Sequence, residues 1–104
     1  MIDCRMNFND KAVKINLKGH ANYAEQGKDI VCAAASTLCN TFVEYIKTHK
    51  EIKLDYRLDK GDIYISAEAE KDTEWFWEVV CFMAVGFYII ACSYPKNFKF
   101  CKNF

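Results

Sequence analysis

The sequence predicts an α+β domain in which antiparallel β-hairpins pack against two helices. Two pairs of short, strand-like segments are each joined by turn residues, and two longer segments have helical spacing or a continuous apolar character. The length of 104 residues, 52% of them hydrophobic, suffices for one core and is too short for two. We therefore expect the order β-β-α-β-β-α within a single domain, residues 1–104.

Two alternating segments near the N-terminus predict the first hairpin. Residues 2–8 alternate crudely between apolar and polar side chains, and residues 13–18 alternate cleanly. The Asn-Asp-Lys run at residues 9–11 is typical of a turn, so the two strands are expected to pair. A polar loop, residues 19–29, is expected to follow.

The first helix is predicted to begin at Asp29 and to end near His49. Asp29 is a good N-cap because its carboxylate can accept a hydrogen bond from the backbone N–H of Cys32. Apolar side chains at helical spacing predict the buried stripe of this helix, which consists of Val31, Ala35, Leu38, Phe42 and Tyr45.

A second hairpin is predicted from residues 52–58 and 62–69, which are both typical of strands. The turn between them contains Asp59, Lys60, Gly61 and Asp62. Near the end of the sequence, residues 96–104 are a candidate for one further strand at the edge of the sheet.

A second helix is predicted to begin near Asp72 or Thr73 and to end near Cys92, because Pro95 follows. It is apolar on nearly every side. Its uncharged apolar run, residues 79–92, has 14 residues and is shorter than the ~20 that a membrane span needs, so we expect no membrane insertion. A helix of this kind is expected to pack against the sheet on one side and against a second subunit on another, so we predict a homodimer.

Charge and cysteine content argue against several classes of function. Fourteen Lys and Arg balance fourteen Asp and Glu, and only two of these cations are Arg, which disfavours direct nucleic-acid binding. The six cysteines contain no C-x-x-C pair, which argues against a zinc site, and no metal or other cofactor is implied. The first residues lack the pattern of a secretory signal, so we expect a cytoplasmic protein with reduced thiols.

The segment from Gly19 to Ser36 contains the residues that suggest chemistry. If Asp29 caps the first helix, Cys32 is its third residue, where free N–H groups and the helix dipole favour a thiolate. His20 ends a strand, and the loop can return it to that sulfur, so the two residues form the minimal pair for an activated nucleophile. A structural Cys and a plain loop His fit the same spacing, which leaves both interpretations open.

Two motifs stand out in this segment. They are Gly19-His20-Ala21 and Asp29-Ile30-Val31-Cys32-Ala33-Ala34-Ala35-Ser36, with Gly27 in the loop between them. Together they resemble the signature of the ribosomal-processing cysteine protease family, often called Prp. The resemblance extends over the whole chain in element order and is specific mainly across residues 19–36.

The resemblance implies a cysteine endopeptidase with Cys32 as nucleophile and His20 as base. Such proteases remove the N-terminal extension of large ribosomal subunit protein twenty-seven, so the precursor of that protein is the implied partner during ribosome assembly. Asp29 matches the family's aspartate, and whether it orients His20 or only caps the helix is open. The implied substrate has two Phe before the cut, so we expect an aromatic-lined groove with Tyr23 in its lining and Gly27 in its loop. Backbone N–H groups at the start of the helix are the expected oxyanion hole.

The alternative is a non-catalytic, ribosome-associated protein-binding module in which the same motif only supports the fold. Balanced charge and few Arg argue against RNA contact, so its partner would be a protein. An N-terminal extension ending near Phe-Phe on the ribosomal protein of the same genome would favour the protease.

Overall fold

The computed structural model describes residues 1–71 and 74–104, and these form five strands and two helices. The elements are, in order, β1 Ile2–Asn9, β2 Ala12–Lys18, α1 Ile30–Lys47, β3 Ile52–Asp59, β4 Asp62–Ala69, α2 Glu74–Ser93 and β5 Phe98–Asn103. The predicted α+β class and element order are confirmed, and β5 is the additional edge strand. The predicted start of the second helix near Asp72 or Thr73 falls outside the described residues.

The strands form one sheet in the order β3-β4-β2-β1-β5. Both hairpins are antiparallel as predicted, and β5 pairs with β1 in parallel. Because β2 and β3 run in the same direction, as do β4 and β5, each helix is a crossover connection between parallel strands. The end of β2 and the starts of β1, β4 and β5 therefore lie at the same end of the sheet. At this end Lys18 is opposite both Asp3 and Asp62.

Side-chain alternation places the core on one face of the sheet. Inward residues of β1 and β2 are buried, whereas intervening residues such as Arg5 and Lys14 are exposed. Both helices pack on the inward face, and the largest buried side chains of the shared core are Phe42, Phe76, Phe87, Phe98 and Met6. The molecule thus has two layers, with helices on one face of the sheet and polar side chains on the other.

The buried stripe of α1 differs from the predicted one. Leu38 is half-buried and packs against the core, whereas Tyr45 is 46% exposed, so the prediction for Tyr45 is wrong. Cys39 and Ile46, one position further along the helix than Leu38 and Tyr45, are fully buried. The other predicted residues of the stripe are buried, so the contact face is kept and continues at spacings of four as well as three residues. The Tyr45 ring instead contacts the ring of His49.

α2 is apolar on the side that faces the core and also on the side that faces solvent. Four large side chains, each between 56% and 76% exposed, form one side of this helix and are called the α2 apolar face: Phe82, Val85, Tyr88 and Ile89. By length and composition alone α2 is sufficient to cross a membrane, and 33% of its most apolar 18-residue window is buried inside the protein.

Candidate active site

His20 and Cys32 lie at the same end of the sheet but belong to two different segments of the chain. β2 ends at Lys18, so His20 follows the strand end closely and is exposed. Cys32 is the third residue of α1, as predicted, and its side chain is half-buried. Both residues line one open cavity of about 590 Å³. The structure therefore brings the predicted base and the predicted nucleophile to a common cavity.

Asp29 is the N-cap of α1, as its position in the sequence predicts. Its Oδ1 accepts hydrogen bonds from the backbone N–H groups of Val31 and Cys32, both at 3.0 Å. Its Oδ2 accepts hydrogen bonds from the backbone N–H groups of Tyr23 and Ala24, at 2.9 and 3.3 Å. One carboxylate therefore joins the first turn of the helix to the preceding loop.

These hydrogen bonds determine the protonation of Asp29. Burial alone raises the pKa of this carboxyl, but the four backbone N–H donors outweigh burial and hold the pKa below its usual value. Among the described residues, the hydrogen bonds of this carboxylate go to the backbone and not to His20. Of the two roles that the sequence left open, the geometry favours capping and loop attachment.

The sulfur of Cys32 faces a backbone donor from the loop. The N–H of Ala21 is directed at Sγ with an N···S distance of 3.5 Å, and Ala21 is buried. A donor in this position stabilises a charged sulfur more than a neutral one. The N-terminus of α1 acts in the same direction through the helix dipole. Sγ of Cys32 therefore lies between a backbone N–H of the loop and the positive end of the helix dipole.

Three N–H groups in the first turn of α1 are already engaged. Those of Val31 and Cys32 donate to the Asp29 side chain, and that of Ala33 donates to the Asp29 carbonyl oxygen at 3.1 Å. The N-cap uses these donors in this state, so an oxyanion hole at the start of the helix stays a prediction.

The cavity combines apolar side chains of the sheet with polar residues of the loop and of the β3–β4 turn. Gly27 lines it, and the role of Gly27 in substrate binding stays a prediction. The larger apolar side chains of the lining are Ile2, Leu17 and Ile63, and no described Phe, Tyr or Trp contributes to it. An aromatic-lined groove for the bound substrate stays a prediction.

Tyr23 lies outside the cavity lining. Its ring packs edge-on against the ring of Tyr94, with the centroids 5.3 Å apart, and its backbone N–H is held by Asp29. The hydrogen bond to Asp29 holds the Tyr23 backbone, and the contact with Tyr94 places the ring near the end of α2. Contact of Tyr23 with a bound substrate stays a prediction.

The turn between β3 and β4 supports the ring of His20. Gly61 has φ +72°, and a Cβ at this position would lie 2.7 Å from Nε2 and 2.8 Å from Cε1 of His20. Its carbonyl oxygen also accepts a hydrogen bond from the N–H of Gly19 at 3.0 Å. Any side chain at position 61 would displace the imidazole. The sequence identified the turn but contains no signal for its contact with His20.

Asn97, just before β5, is a second site residue that sequence reasoning missed. Its Nδ2 donates a hydrogen bond to the carbonyl oxygen of Ala21 at 2.9 Å. The parallel pairing of β5 with β1 brings Asn97 to the end of the sheet where the site lies. The weak edge-strand pattern near the end of the sequence was the one available signal, and it does not specify the pairing partner.

The other cysteines differ from Cys32 in their surroundings. All six lie within the described ranges and carry free thiols. Burial raises the pKa of the Cys4 and Cys39 thiols, that of Cys39 to about 12. Burial and the nearby Glu78 carboxylate also raise the pKa of Cys81. Within residues 1–71 and 74–104, no three or more His, Cys, Asp or Glu side chains form a group that fits a metal ion.

Comparison with known proteins identifies the family and several structures of the same fold. The family model described as cysteine protease Prp matches residues 1–99. Among solved structures, the chain is similar to the ribosomal processing protease Prp from S. aureus in complex with a substrate peptide, with 25% identity, 99% of this chain and 100% of that chain covered, and a TM-score of 0.78.

Two further structures share the fold. The S. aureus protease with a covalently linked product peptide has 24% identity, covers 99% of this chain and 100% of that chain, and has a TM-score of 0.81. A protein from Streptococcus mutans has 24% identity, with 98% of this chain and 93% of that chain covered, and a TM-score of 0.71. No curated protein sequence matches the chain.

Proposed function

The chain belongs to the Prp family of cysteine proteases, and from this premise we propose that it is an endopeptidase with a Cys–His dyad. Cys32 is the nucleophile and His20 the general base. The observation that supports this assignment most directly is the shared cavity, in which both residues take part and where Sγ faces a backbone N–H. Residues 1–104 act as one protease domain.

In the proposed reaction, His20 takes the proton of the Cys32 thiol, and the thiolate attacks the scissile carbonyl carbon. The S–C bond forms, the peptide C–N bond breaks, and His20 gives the proton to the leaving amine. Water then attacks the thioester, which releases the new carboxyl group and restores the thiol. Asp29 takes part as a positioning residue, because it holds the helix start and the loop together.

The proposed substrate is the precursor of large ribosomal subunit protein twenty-seven, from which the enzyme removes the N-terminal extension during ribosome assembly. The S. aureus relative is a ribosomal processing protease solved with a substrate peptide, which supports a substrate of the same class. The cavity volume of about 590 Å³ is within the range of roughly 300–1,000 Å³ that is usual for binding clefts. Tyr23 and Gly27 belong to the loop that contacts the peptide.

We also propose that the enzyme works in the cytoplasm as a homodimer, without metal or other cofactor and without contact to nucleic acid or membrane. The α2 apolar face supports the dimer, because exposed patches of this kind commonly mark protein contacts. The equal numbers of acidic and basic residues support the absence of nucleic-acid binding.

Cleavage of a peptide that spans the extension and the first residues of the mature ribosomal protein tests the dyad. Wild type is expected to release the extension, whereas Cys32→Ser and His20→Ala are not, because one lacks the nucleophile and the other lacks the proton carrier. Cys101→Ser is the matched control: it removes an exposed thiol on β5 and is expected to cut at the wild-type rate.

Undiminished cleavage by Cys32→Ser would overturn the proposal. Binding of the peptide by wild type without any cleavage would instead support the non-catalytic protein-binding module. A Cys101→Ser variant as inactive as Cys32→Ser would also contradict the assignment, because the loss would then not be specific to the cavity.

A further inference from the structure

We propose that Asn97 is a positioning residue for the nucleophile: its side-chain amide holds the Ala21 segment so that the Ala21 N–H stays directed at Sγ of Cys32. The inference rests on the proposed function, since it takes Cys32 as the nucleophile. It assigns a role in the site to a residue 76 positions away from Ala21 in the sequence.

The backbone of Asn97 is fixed from two sides. Its N–H donates to the carbonyl oxygen of Tyr94 at 3.0 Å, and its carbonyl oxygen accepts from the N–H of Ile2 at 2.9 Å. The first bond ties Asn97 to the end of α2, and the second ties it to the start of β1. The side-chain amide of Asn97 therefore projects from a fixed backbone, so it can hold the loop in one position.

From this anchor, two hydrogen bonds lead to the sulfur. Nδ2 of Asn97 lies 2.9 Å from the carbonyl oxygen of Ala21, and the N–H of the same alanine lies 3.5 Å from Sγ of Cys32. Ala21 is 1% exposed, so its carbonyl oxygen needs a partner from the protein. Without the amide, the Ala21 segment must move to satisfy this oxygen, and the direction of its N–H changes with it.

The effect on the sulfur follows from the geometry of the N–H···S contact. Hydrogen-bond strength falls steeply as the donor turns away from the acceptor, and the contact helps the charged thiolate more than the thiol. Asp29 holds the loop through Tyr23 and Ala24, which follow Ala21, so it does not satisfy the Ala21 oxygen. Loss of the Asn97 amide is therefore expected to make the thiolate less favourable while leaving the N-cap intact.

The pH dependence of Cys32 alkylation by iodoacetamide, followed by peptide mapping, tests the inference. Asn97→Asp keeps the shape but removes the donor, and Asn97→Ala removes it without adding charge. We expect both to move the midpoint of the profile upward by about 0.5–1 pH unit, which slows alkylation near pH 6 by roughly three- to tenfold. For the peptide substrate, kcat is expected to fall by a similar factor, with KM changed less.

Asn40 offers a matched control on α1. Its Nδ2 donates to the carbonyl oxygen of Ser36 at 2.8 Å on the exposed side of the helix. Asn40→Asp and Asn40→Ala remove the same kind of hydrogen bond away from the loop that holds Ala21. Their alkylation profiles and kcat are expected to match those of wild type.

Asn97 and Asn40 variants with the same profile would overturn the inference, and so would a lower Tm for Asn97→Ala with an unchanged profile, because that combination describes a purely structural residue. Both results leave the proposed function intact when Cys32→Ser remains inactive. Conversely, a Cys32→Ser variant that still cleaves refutes the proposed function, while the profile still reports whether Asn97 acts on this sulfur.

Discussion

The two oxygens of Asp29 serve different parts of the site. Oδ1 caps α1 through Cys32 and its neighbour, and Oδ2 holds the loop through the N–H groups of Tyr23 and Ala24. The same carboxylate therefore contributes to helix stability and to the position of the loop. A substitution that preserves one contribution and removes the other separates them.

Asp29→Ser keeps an N-cap acceptor but is too short to hold the loop as well, whereas Asp29→Ala loses both functions. We expect Asp29→Ala to lower stability by about 1 kcal/mol, or roughly 4–8 °C in Tm, and Asp29→Ser by much less. Turnover is expected to fall roughly tenfold in both, because both release Tyr23. Thermal unfolding beside peptide cleavage makes the comparison, and a fully active Asp29→Ser would show that the loop attachment is dispensable.

The lowered pKa of Asp29 gives this comparison a pH dependence. A carboxyl whose pKa is lower in the folded state stabilises the fold fully above its unfolded-state pKa, and this contribution disappears as the pH falls through the folded-state pKa. The difference in Tm between wild type and Asp29→Ala is therefore expected to be constant near neutral pH and to shrink in acid. A difference that grows in acid would contradict the assigned hydrogen bonds.

Gly61→Ala is predicted to damage the site through the ring of His20. The added Cβ would lie 2.7 Å from Nε2, and because His20 is exposed, its ring moves rather than the hairpin. The left-handed φ of +72° adds backbone strain of about 1–2 kcal/mol. We expect kcat to fall roughly tenfold or more, since displacement of the proposed base lowers the rate of the chemical step directly.

Gly61→Asn distinguishes the two effects. Asn tolerates the left-handed region better than Ala does but still carries a Cβ. Its Tm should therefore recover towards wild type while its kcat stays low. Recovery of both quantities together would show that backbone strain, and not contact with His20, determines the loss.

At the level of elements, the connection between β2 and α1 consists of an anchored part and an open part. Residues 21–24 are held by Asn97 and by Asp29. Residues 25–28 are exposed, and the described backbone hydrogen bond within them joins Lys28 to Glu25 at 3.0 Å. We expect this open part to move when the cavity is empty and to become ordered by substrate.

Gly27→Pro tests this expectation. Gly27 has φ +90°, whereas proline requires φ near −65°, so the variant cannot keep the observed loop conformation. Turnover is expected to fall several-fold while Tm changes little, because no core side chain is attached to this part of the loop. Cleavage at the wild-type rate would show that the segment is only a connector.

For the whole molecule, the α2 apolar face is the feature that the monomer leaves unexplained. It contains an aromatic side chain that is 76% exposed, Phe82, although the core of the protein is otherwise well covered. A second copy related by a two-fold axis would cover the face with the same side chains, as is usual in homodimers. The predicted dimer therefore has a specific surface.

Light scattering on the order of tens of micromolar protein is expected to give the mass of a dimer. Phe82→Asp is expected to give a monomer with unchanged secondary structure, since its side chain is exposed. Tyr56→Asp, which changes an exposed aromatic residue on β3, serves as the control and should remain dimeric. A wild-type monomer at this concentration would refute the dimer, and a monomeric Tyr56→Asp would show that α2 is not the contact.

Local patterns predicted most of the elements because their causes are local. The hairpins follow from alternation and turn residues within a few positions. The N-cap follows from an aspartate, Asp29, directly before the apolar segment of the helix. The spacing of His20 and Cys32 permits the shared cavity without requiring it, because one loop joins them.

What the sequence could not predict depends on packing between distant segments. The contact of Gly61 with His20 requires the β4–β2 pairing, and the position of Asn97 requires the β5–β1 pairing. The contact of the Tyr23 ring with Tyr94, near the end of α2, is of the same kind, because no local pattern identifies this partner. Alternation specifies strands, but it does not specify which strands are neighbours.

The parallel pairing of β5 with β1 also has a consequence for the order in which the protein assembles. A ribosome releases β1 early and β5 late, so β1 waits for its neighbour while most of the chain is made. Asn97 arrives with β5, and the Ala21 carbonyl has no amide to bind before then. Pulse alkylation during synthesis is expected to show Cys32 reaching its full reactivity only after β5 has been released. A nascent chain would therefore carry the nucleophile well before Asn97 holds the Ala21 segment in place.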